Sequence, residues 1–253
     1  MKIELWNWFG KTDVGLKREN NQDCFEVRIM QDSALLCVVC DGMGGAAGGS
    51  LASSTAANAF SEYVLENIQT YKDDICTLLS DALASANGCV YEKAQADREL
   101  SGMGTTICAV LALGEKLYCL SVGDSRIYLL KNGRMTRLSH DHSYVQTLVD
   151  AGQITEEEAR NHPNRNIITK AVGTENSVDG DVFVLDETCA DKILICSDGL
   201  CGYVDDVKTE EIINNCRNCE EAVNALVDKA NEAGGFDNIT AVIMENANSS
   251  KNS

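Results

Sequence analysis

Hydrophobic positions along the chain fall into two kinds of run. Short stretches rich in Val, Ile, Leu and Tyr read as β-strands: "KIELWNWF", "ALLCVVC", "TTICAVLAL", "KLYCLSVG", "RIYLL", "KILICSDG" and "NITAVIME". Between residues 46 and 97, "SLASSTAANAFSEYVLENI" and "DDICTLLSDALASANGCVYEKAQAD" carry apolar residues three and four apart, which predicts two long consecutive helices. A second helical zone, "HSYVQTLVDAGQITEEEARNHP", breaks at Pro163, the only proline, and Thr155 with Glu158 predicts a capping box inside it. A third, "DVKTEEIINNCRNCEEAVNALVDKANEAGG", ends in Gly234 and Gly235, as a helix C-terminus does. Strands in groups and helices in pairs predict an α+β layered fold over a doubly wound sheet.

Composition narrows this. With 253 residues, 44% of them hydrophobic, one main core is expected, and there is no internal repeat. Lys and Arg total 21 against 39 Asp and Glu, a formal charge of −18 that excludes nucleic acid and anionic membrane as partners and obliges an anionic substrate to find local cations. The twelve cysteines raise a disulfide framework, but "MKIELWNWFGKTD" has neither an apolar export core nor a cleavage site, so a reducing cytoplasm is expected. The pairs Cys37/Cys40 and Cys216/Cys219 have zinc-like spacing, yet the first lies in an apolar run and no histidine stands at finger spacing, so buried thiols are the preferred reading. No stretch approaches the roughly 20 apolar residues of a membrane span. The tail "ENANSSKNS" reads as a frayed terminus.

The stretch "LLCVVCDGMGGAAGG" offers candidate chemistry, because Gly42, Gly44 and Ala47 fit the G-x-G-x-x-A dinucleotide fingerprint. Against it, Asp41 would face the pyrophosphate, and the position about 20 residues on falls within "FSEYVLENI" rather than at a strand end. The pattern also repeats. A β-like run ending in Asp and flanked by Gly occurs at "KILICSDGL" (Asp198) and "YCLSVGDSR" (Asp124), and "GGFDNIT" (Asp237) puts glycines before the acid. Carboxylates at strand ends with glycine beside them can present oxygens to hard cations such as Mg²⁺ or Mn²⁺, two of which can clamp a phosphoryl group. The competing reading is that D-G pairs are turns. No cysteine has arginine six positions on, and no G-x-S-x-G or H-E-x-x-H string occurs, so covalent and zinc-protease chemistries lack support. "DGDVFVLD" lacks the buried strand an aspartyl-phosphate enzyme places before its D-x-D and reads as a turn entering a strand.

At this point the order of strings becomes informative: "TDVGLKRENNQDCF", "VVCDGMGG", "SGMGTTICAVL", "SVGDSRIYLL", "LSHDHSYVQTLVDAGQITEEEARNHPNRNIITKAVG", "ILICSDGL" and "GGFDNITAVI". Together they resemble the metal-dependent serine/threonine protein phosphatases of the PPM or PP2C type, in their compact bacterial form. The resemblance implies a four-layer αββα sandwich with two central antiparallel sheets flanked by paired helices. It implies one domain over 1–246, with a flap over about 143–173 and a polar tail over 247–253. It implies that Asp41 bridges two Mn²⁺ or Mg²⁺ ions, that the Gly42 carbonyl completes one site, and that Asp198 and Asp237 hold the other. Asp124 with Asp198 would hold a third, weaker ion.

By the same resemblance Arg18 grips the substrate phosphate and Asp23 hydrogen-bonds metal-bound water, so that Arg18, Asp23 and Asp41 carry the catalysis. Read without it, Arg18 is one of a basic trio with Lys11 and Lys17 on the surface. Met43 stands where animal members have a histidine proposed as the general acid, and Gln22 where they have glutamate; metal-bound water or the Asp124 site would then serve as acid. His142 and His162 read as structural hydrogen-bonders at the flap, and His140 is weighed with them. The implied function is hydrolysis of phosphoserine and phosphothreonine on proteins through a metal-bridging water, opposing a bacterial eukaryotic-like kinase, in a cytoplasmic monomer. The alternatives are a phospho-binding pseudophosphatase without turnover, and a phosphatase of the sporulation or sigma-factor type.

Overall fold

A computed structural model describes residues 6–30 and 34–247. The start of "KIELWNWF" and the end of the polar tail lie outside the described residues. The strands are β1 (Trp6–Asp13), β2 (Asp23–Ile29), β3 (Leu35–Met43), β4 (Gly104–Thr105), β5 (Ile107–Leu113), β6 (Lys116–Val122), β7 (Arg126–Lys131), β8 (Arg134–Arg137), β9 (Asp181–Asp186), β10 (Lys192–Cys196) and β11 (Ile239–Asn246). The α-helices are α1 (Gly45–Asn67), α2 (Ile75–Ala96), α3 (Tyr144–Asp150), α4 (Glu156–Arg160), α5 (Asp198–Cys201), α6 (Asp206–Asn215) and α7 (Cys219–Glu232).

Two antiparallel sheets form the centre, one in the order β1-β11-β10-β7-β8 and the other β2-β3-β5-β6-β9, with β4 paired to β3. Three apolar layers hold four layers of structure together. Helices α1 and α2 lay Ala56, Phe60, Leu79 and Leu83 on Leu36, Val38 and Ala109 of one sheet. Leu35, Cys37, Val39 and Val110 meet Ile193, Ile195 and Val242 between the sheets. On the far side α7 buries Val223, Leu226 and Val227 against Leu194, Ala241 and Ile243. Alternate side chains of a strand point to opposite faces, so the continuous apolar run of β3 serves two cores at once.

That alternation also decides the first zinc-like pair. Cys37 packs between the sheets and Cys40 packs under the helices, so the two thiols cannot share an ion. All twelve cysteines are free. Among the described residues no helix is long and apolar enough to cross a membrane.

The expected helical zones hold with finer grain. Thr155 and Glu158 form the reciprocal capping box at the start of α4. The third zone is two helices, because Asn218 leaves the helical path and accepts a hydrogen bond from Glu221 N as the cap of α7. No apolar run announces β2 or β8; both are edge strands whose polar positions, Glu26 and Arg28 in one and Arg134, Thr136 and Arg137 in the other, dilute the pattern.

Candidate active site

The site lies where the layer between the sheets runs out of apolar side chains. On β3 the inward positions are Leu35, Cys37 and Val39, and the next is Asp41. On β10 they are Ile193 and Ile195, followed past the strand by Ser197, and on β11 Met244 and Val242 are followed by Thr240. The β2–β3 register places Asp23 directly opposite Asp41. A run of strand positions thus switches at one end of the sandwich from hydrocarbon to carboxylate and hydroxyl.

Asp23 is 8% exposed, and its Oδ2 accepts from Ser197 Oγ at 2.7 Å and Thr240 Oγ1 at 2.6 Å. Its Oδ1 is buried with no partner. Burial pushes its carboxyl up to about 7, against the opposing pull of the two hydroxyls. Asp41 is fixed by its backbone: its N–H donates to Thr106 Oγ1 at 2.9 Å, and its carbonyl accepts from Thr106 N at 2.9 Å and Thr105 Oγ1 at 2.8 Å. The next residue must be glycine, since a Cβ on Gly42 would sit 2.0 Å from Gly49 O. Gly44, at φ 122°, then turns the chain into α1.

Asp198 opens α5 directly after β10, with Oδ1 buried and unpartnered. The following Gly199 leaves no space for a side chain, its Cβ position lying 1.8 Å from Asn238 O. Asp124 sits on the turn between β6 and β7, and Asp237 just ahead of β11. Burial raises the pKa of Asp41, with further lifts from Asp23 and Asp198. Burial, then Asp237, raises Asp198; burial, then Asp198, raises Asp124. Arg18, Asp41, Gly42, Asp124, Asp198 and Asp237 all line one cavity of about 640 Å³.

Orphaned buried oxygens on Asp23 and Asp198, in a nest of carboxyls that raise one another's pKa, fit a divalent hard cation. Among the described residues no three acidic, histidine or cysteine side chains close into a ready-made cage. An open set is what Mg²⁺ and Mn²⁺ require, because an octahedral ion takes one or two carboxylates and keeps several waters. Asp41, the Gly42 carbonyl, Asp198, Asp237 and Asp124 are the groups on the cavity wall that could hold such ions.

Arg18 extends from the loop between β1 and β2, and Asn238 clamps that loop. The Asn238 amide donates to Val14 O at 2.9 Å and Asn20 O at 3.0 Å and accepts from Gln22 N at 2.8 Å. The guanidinium, 49% exposed, donates to Asp237 Oδ2 at 2.8 Å. It is therefore at the cavity rather than on a remote basic face, while Lys11 is drawn away to Asn224 at 3.0 Å.

The histidines stand apart from the cavity lining. His142 accepts from Gly123 N at 3.1 Å through Nδ1 and meets Asp181 at 3.3 Å through Nε2, tying down the turn that carries Asp124. His162 Nδ1 accepts from Asn164 N at 3.1 Å, and His140 contacts Asp150 at 3.1 Å on the surface. Met43 lines the cavity and packs toward Gly104, and Gln22 bonds Gly45 O. Five residues escaped the sequence reading: Thr105, Thr106, Ser197, Asn238 and Thr240. Each is adjacent or close in sequence to a flagged acid or its partner strand, which was the only available signal.

The segment from 143 to 173 is pinned at its base by bridges of Ser143 to Ile168 and of Thr105 to Val172. Asn166 and Ile168 reach the cavity wall. Beneath it Arg126 makes three hydrogen bonds of 2.7 to 3.0 Å with Asp141, a largely buried pair. Arg126→Ala would leave that carboxylate only the longer 3.8 Å contact with Arg137, at a cost of about 3 kcal/mol. A melting temperature lower by roughly 6–12 °C is the expected result in a thermal melt.

A strand-end acid cluster at the mouth of an αββα sandwich defines a protein built to bind divalent hard cations at the rim of its core, a site able to clamp a phosphoryl group. Residues 16–243 match the family model described as protein phosphatase 2C, and the chain belongs to that family. The serine/threonine phosphatase stp of Listeria innocua is 37% identical over 236 residues, covering 93% of this chain and 94% of that protein. The serine/threonine protein phosphatase PstP of Mycobacterium tuberculosis is 35% identical over 93% of this chain and 44% of its own length. The solved structure of Stp1 from Staphylococcus aureus superposes with a TM-score of 0.87 at 33% identity, covering 96% of this chain and 95% of that one. The catalytic domain of PstP, solved with two manganese ions, gives 0.82 at 31% identity, covering 95% and 97%.

Proposed function

We propose that this chain is a Mn²⁺- or Mg²⁺-dependent protein phosphatase that hydrolyses phosphoserine and phosphothreonine on protein substrates. The observation that carries the reading is one cavity in which Asp41, Asp198, Asp124 and Asp237 share the wall with Arg18 and Lys17, so that cation-binding carboxylates and phosphate-binding cations face the same space. Asp41, the Gly42 carbonyl, Asp198 and Asp237 would hold two ions, and Asp124 with Asp198 would hold a third. When bound, the ions supply a Lewis acid for the phosphoryl oxygens and a nucleophile at neutral pH. Every acid needed for turnover is present, which favours catalysis over phospho-binding alone.

The protein's own groups set the geometry around that chemistry. Arg18 exchanges Asp237 for the equatorial phosphate oxygens, a planar fork matched to them. Asp23, held by Ser197 and Thr240 directly opposite Asp41 on the neighbouring strand, keeps one buried oxygen without a partner and can accept a hydrogen bond from water at the site. Met43 offers no proton, so the leaving oxygen takes its proton from a carboxyl or water on the Asp124 side of the cavity. No cysteine or serine nucleophile faces the cavity among the described residues, and no covalent intermediate is expected.

One domain over 1–246, with 143–173 as a flap that screens substrates, completes the reading. Its substrates are those of a cognate eukaryotic-like serine/threonine kinase in the cytoplasm. The cavity is complete within one chain, which supports a monomer. Phosphate release from a phosphothreonine peptide in Mn²⁺ tests the activity. Arg18→Ala is expected to raise KM about 10-fold or more and to lower kcat as well, because a charge-assisted bidentate contact is lost. Unchanged kinetics in that variant would remove Arg18 from the phosphate site.

A further inference from the structure

We infer that Leu16, Phe236 and Tyr203 form a ledge beside the cavity that selects phosphorylated segments carrying an apolar side chain next to the phosphoresidue. The inference rests on the phosphatase reading above and adds a substrate class to it. Leu16 is 66% and Phe236 50% exposed, although both are large and apolar. Single exposed hydrophobics need no explanation, but these two stand on loops that are hydrogen-bonded to each other and that run into the cavity wall at Lys17, Arg18 and Asp237.

Phe236 immediately precedes Asp237, and Leu16 stands two residues from Arg18. The two loops are stitched together by Leu16 N and Lys17 N, which donate to Gly235 O at 2.7 and 3.1 Å. Both side chains are seated on bare backbone. A Cβ on Gly234 would lie 2.2 Å from Phe236 Cε2, and one on Gly235 would lie 2.7 Å from Leu16 Cγ. The Phe236 ring stacks on Tyr203 with centroids 5.6 Å apart and planes 28° apart, and the Arg165 guanidinium lies 4.9 Å over the Tyr203 ring. The ledge is therefore pre-ordered, so a substrate side chain that lands on it does not bear the cost of arranging it.

The position decides the occupant. A phosphoryl group held between Arg18 and the acids fixes the substrate backbone at the cavity mouth, which brings a neighbouring residue over Phe236 and Leu16. An aliphatic or aromatic side chain would bury apolar surface there. An acidic one would meet Asp237 and Glu19 but also Lys17 and the Arg165 guanidinium on Tyr203, so charge does not decide the occupant and burial of apolar surface does.

The test uses the full chain in Mn²⁺ with paired phosphothreonine peptides that differ only in having Leu, Phe, Asn or Glu at each position from two before to two after the phosphoresidue. p-Nitrophenyl phosphate reports the chemistry without a flanking residue. Wild type is expected to favour Leu or Phe over Asn by about 10-fold in kcat/KM at one flanking position. Phe236→Ala and Leu16→Ala should erase most of that preference, Phe236→Leu should keep part of it, and all three should hydrolyse p-nitrophenyl phosphate at near wild-type rates. Equal rates for all wild-type peptides, or a preference that survives both alanine variants, would overturn the ledge while leaving the phosphatase reading intact. Failure of the wild type to release phosphate from any of these compounds would overturn that reading and the ledge with it.

Discussion

Asp198→Asn is expected to lower kcat/KM for a phosphothreonine peptide in Mn²⁺ by about 10³-fold, or about 4 kcal/mol, with the fold intact. Asparagine keeps the shape of aspartate but cannot supply an anionic oxygen to a cation. The site around it is built to tolerate the change. Asp198 Oδ1 is buried without a partner, and its carboxyl is pushed upward in pKa by burial and then by Asp237. Asp41 lies within hydrogen-bond reach of it. An amide at this position would donate to Asp41 and replace a like-charge contact with a neutral one, so without metal the variant should melt at or above the wild-type temperature. Activity assays in Mn²⁺ paired with thermal melts in a chelator separate the two effects. A variant that keeps more than about a tenth of wild-type activity would take Asp198 out of the metal site. A clear drop in melting temperature in the chelator would make the residue structural instead.

This opposition between function and metal-free stability explains which parts of the molecule could be read from its sequence. Helices α1 and α2 and strands β3, β5 and β10 declare themselves because one principle, burial, sets their pattern. The acids were legible for the opposite reason: Asp41 and Asp198 interrupt or end apolar runs where a carboxylate is costly unless something binds it. Ser197, Thr240 and Thr106 were not legible, because a hydroxyl beside a turn is unremarkable in one dimension. Only the packing of the sheet that holds β2 and β3 on the sheet that holds β10 and β11 brings Ser197 and Thr240 onto Asp23, from 174 and 217 positions away. The pair of Arg18 with Asp237, 219 positions apart, was hidden in the same way. Edge strands β2 and β8 escaped because an edge strand must be polar enough to resist pairing with a neighbour's edge.

Mn²⁺ is expected to raise the melting temperature by roughly 5–10 °C at about pH 8 and by clearly less at about pH 6. The sign follows from the acids. An unfolded aspartate titrates near 3.9, whereas in the fold Asp23 is pushed up to about 7 and Asp41, Asp124 and Asp198 are also raised. The metal-free folded state therefore holds more protons than the unfolded chain above pH of about 4, and its stability falls as pH rises through the folded values. Cation binding needs the same groups deprotonated, so affinity rises over the range in which the metal-free fold is weakening. At a concentration of about 100 Kd the bound ion returns about 2.7 kcal/mol, and the gap between melts with Mn²⁺ and with chelator widens toward alkaline pH. Taking that difference cancels ordinary surface carboxylates such as Asp150 and Glu158, whose pKa is lowered by hydrogen bonds and whose contribution to stability runs the other way. Asp198→Asn should flatten the pH dependence of the gap and shrink it at every pH. A gap that stayed constant between about pH 6 and about pH 8 in the wild type would show that the raised acids are not the cation's partners.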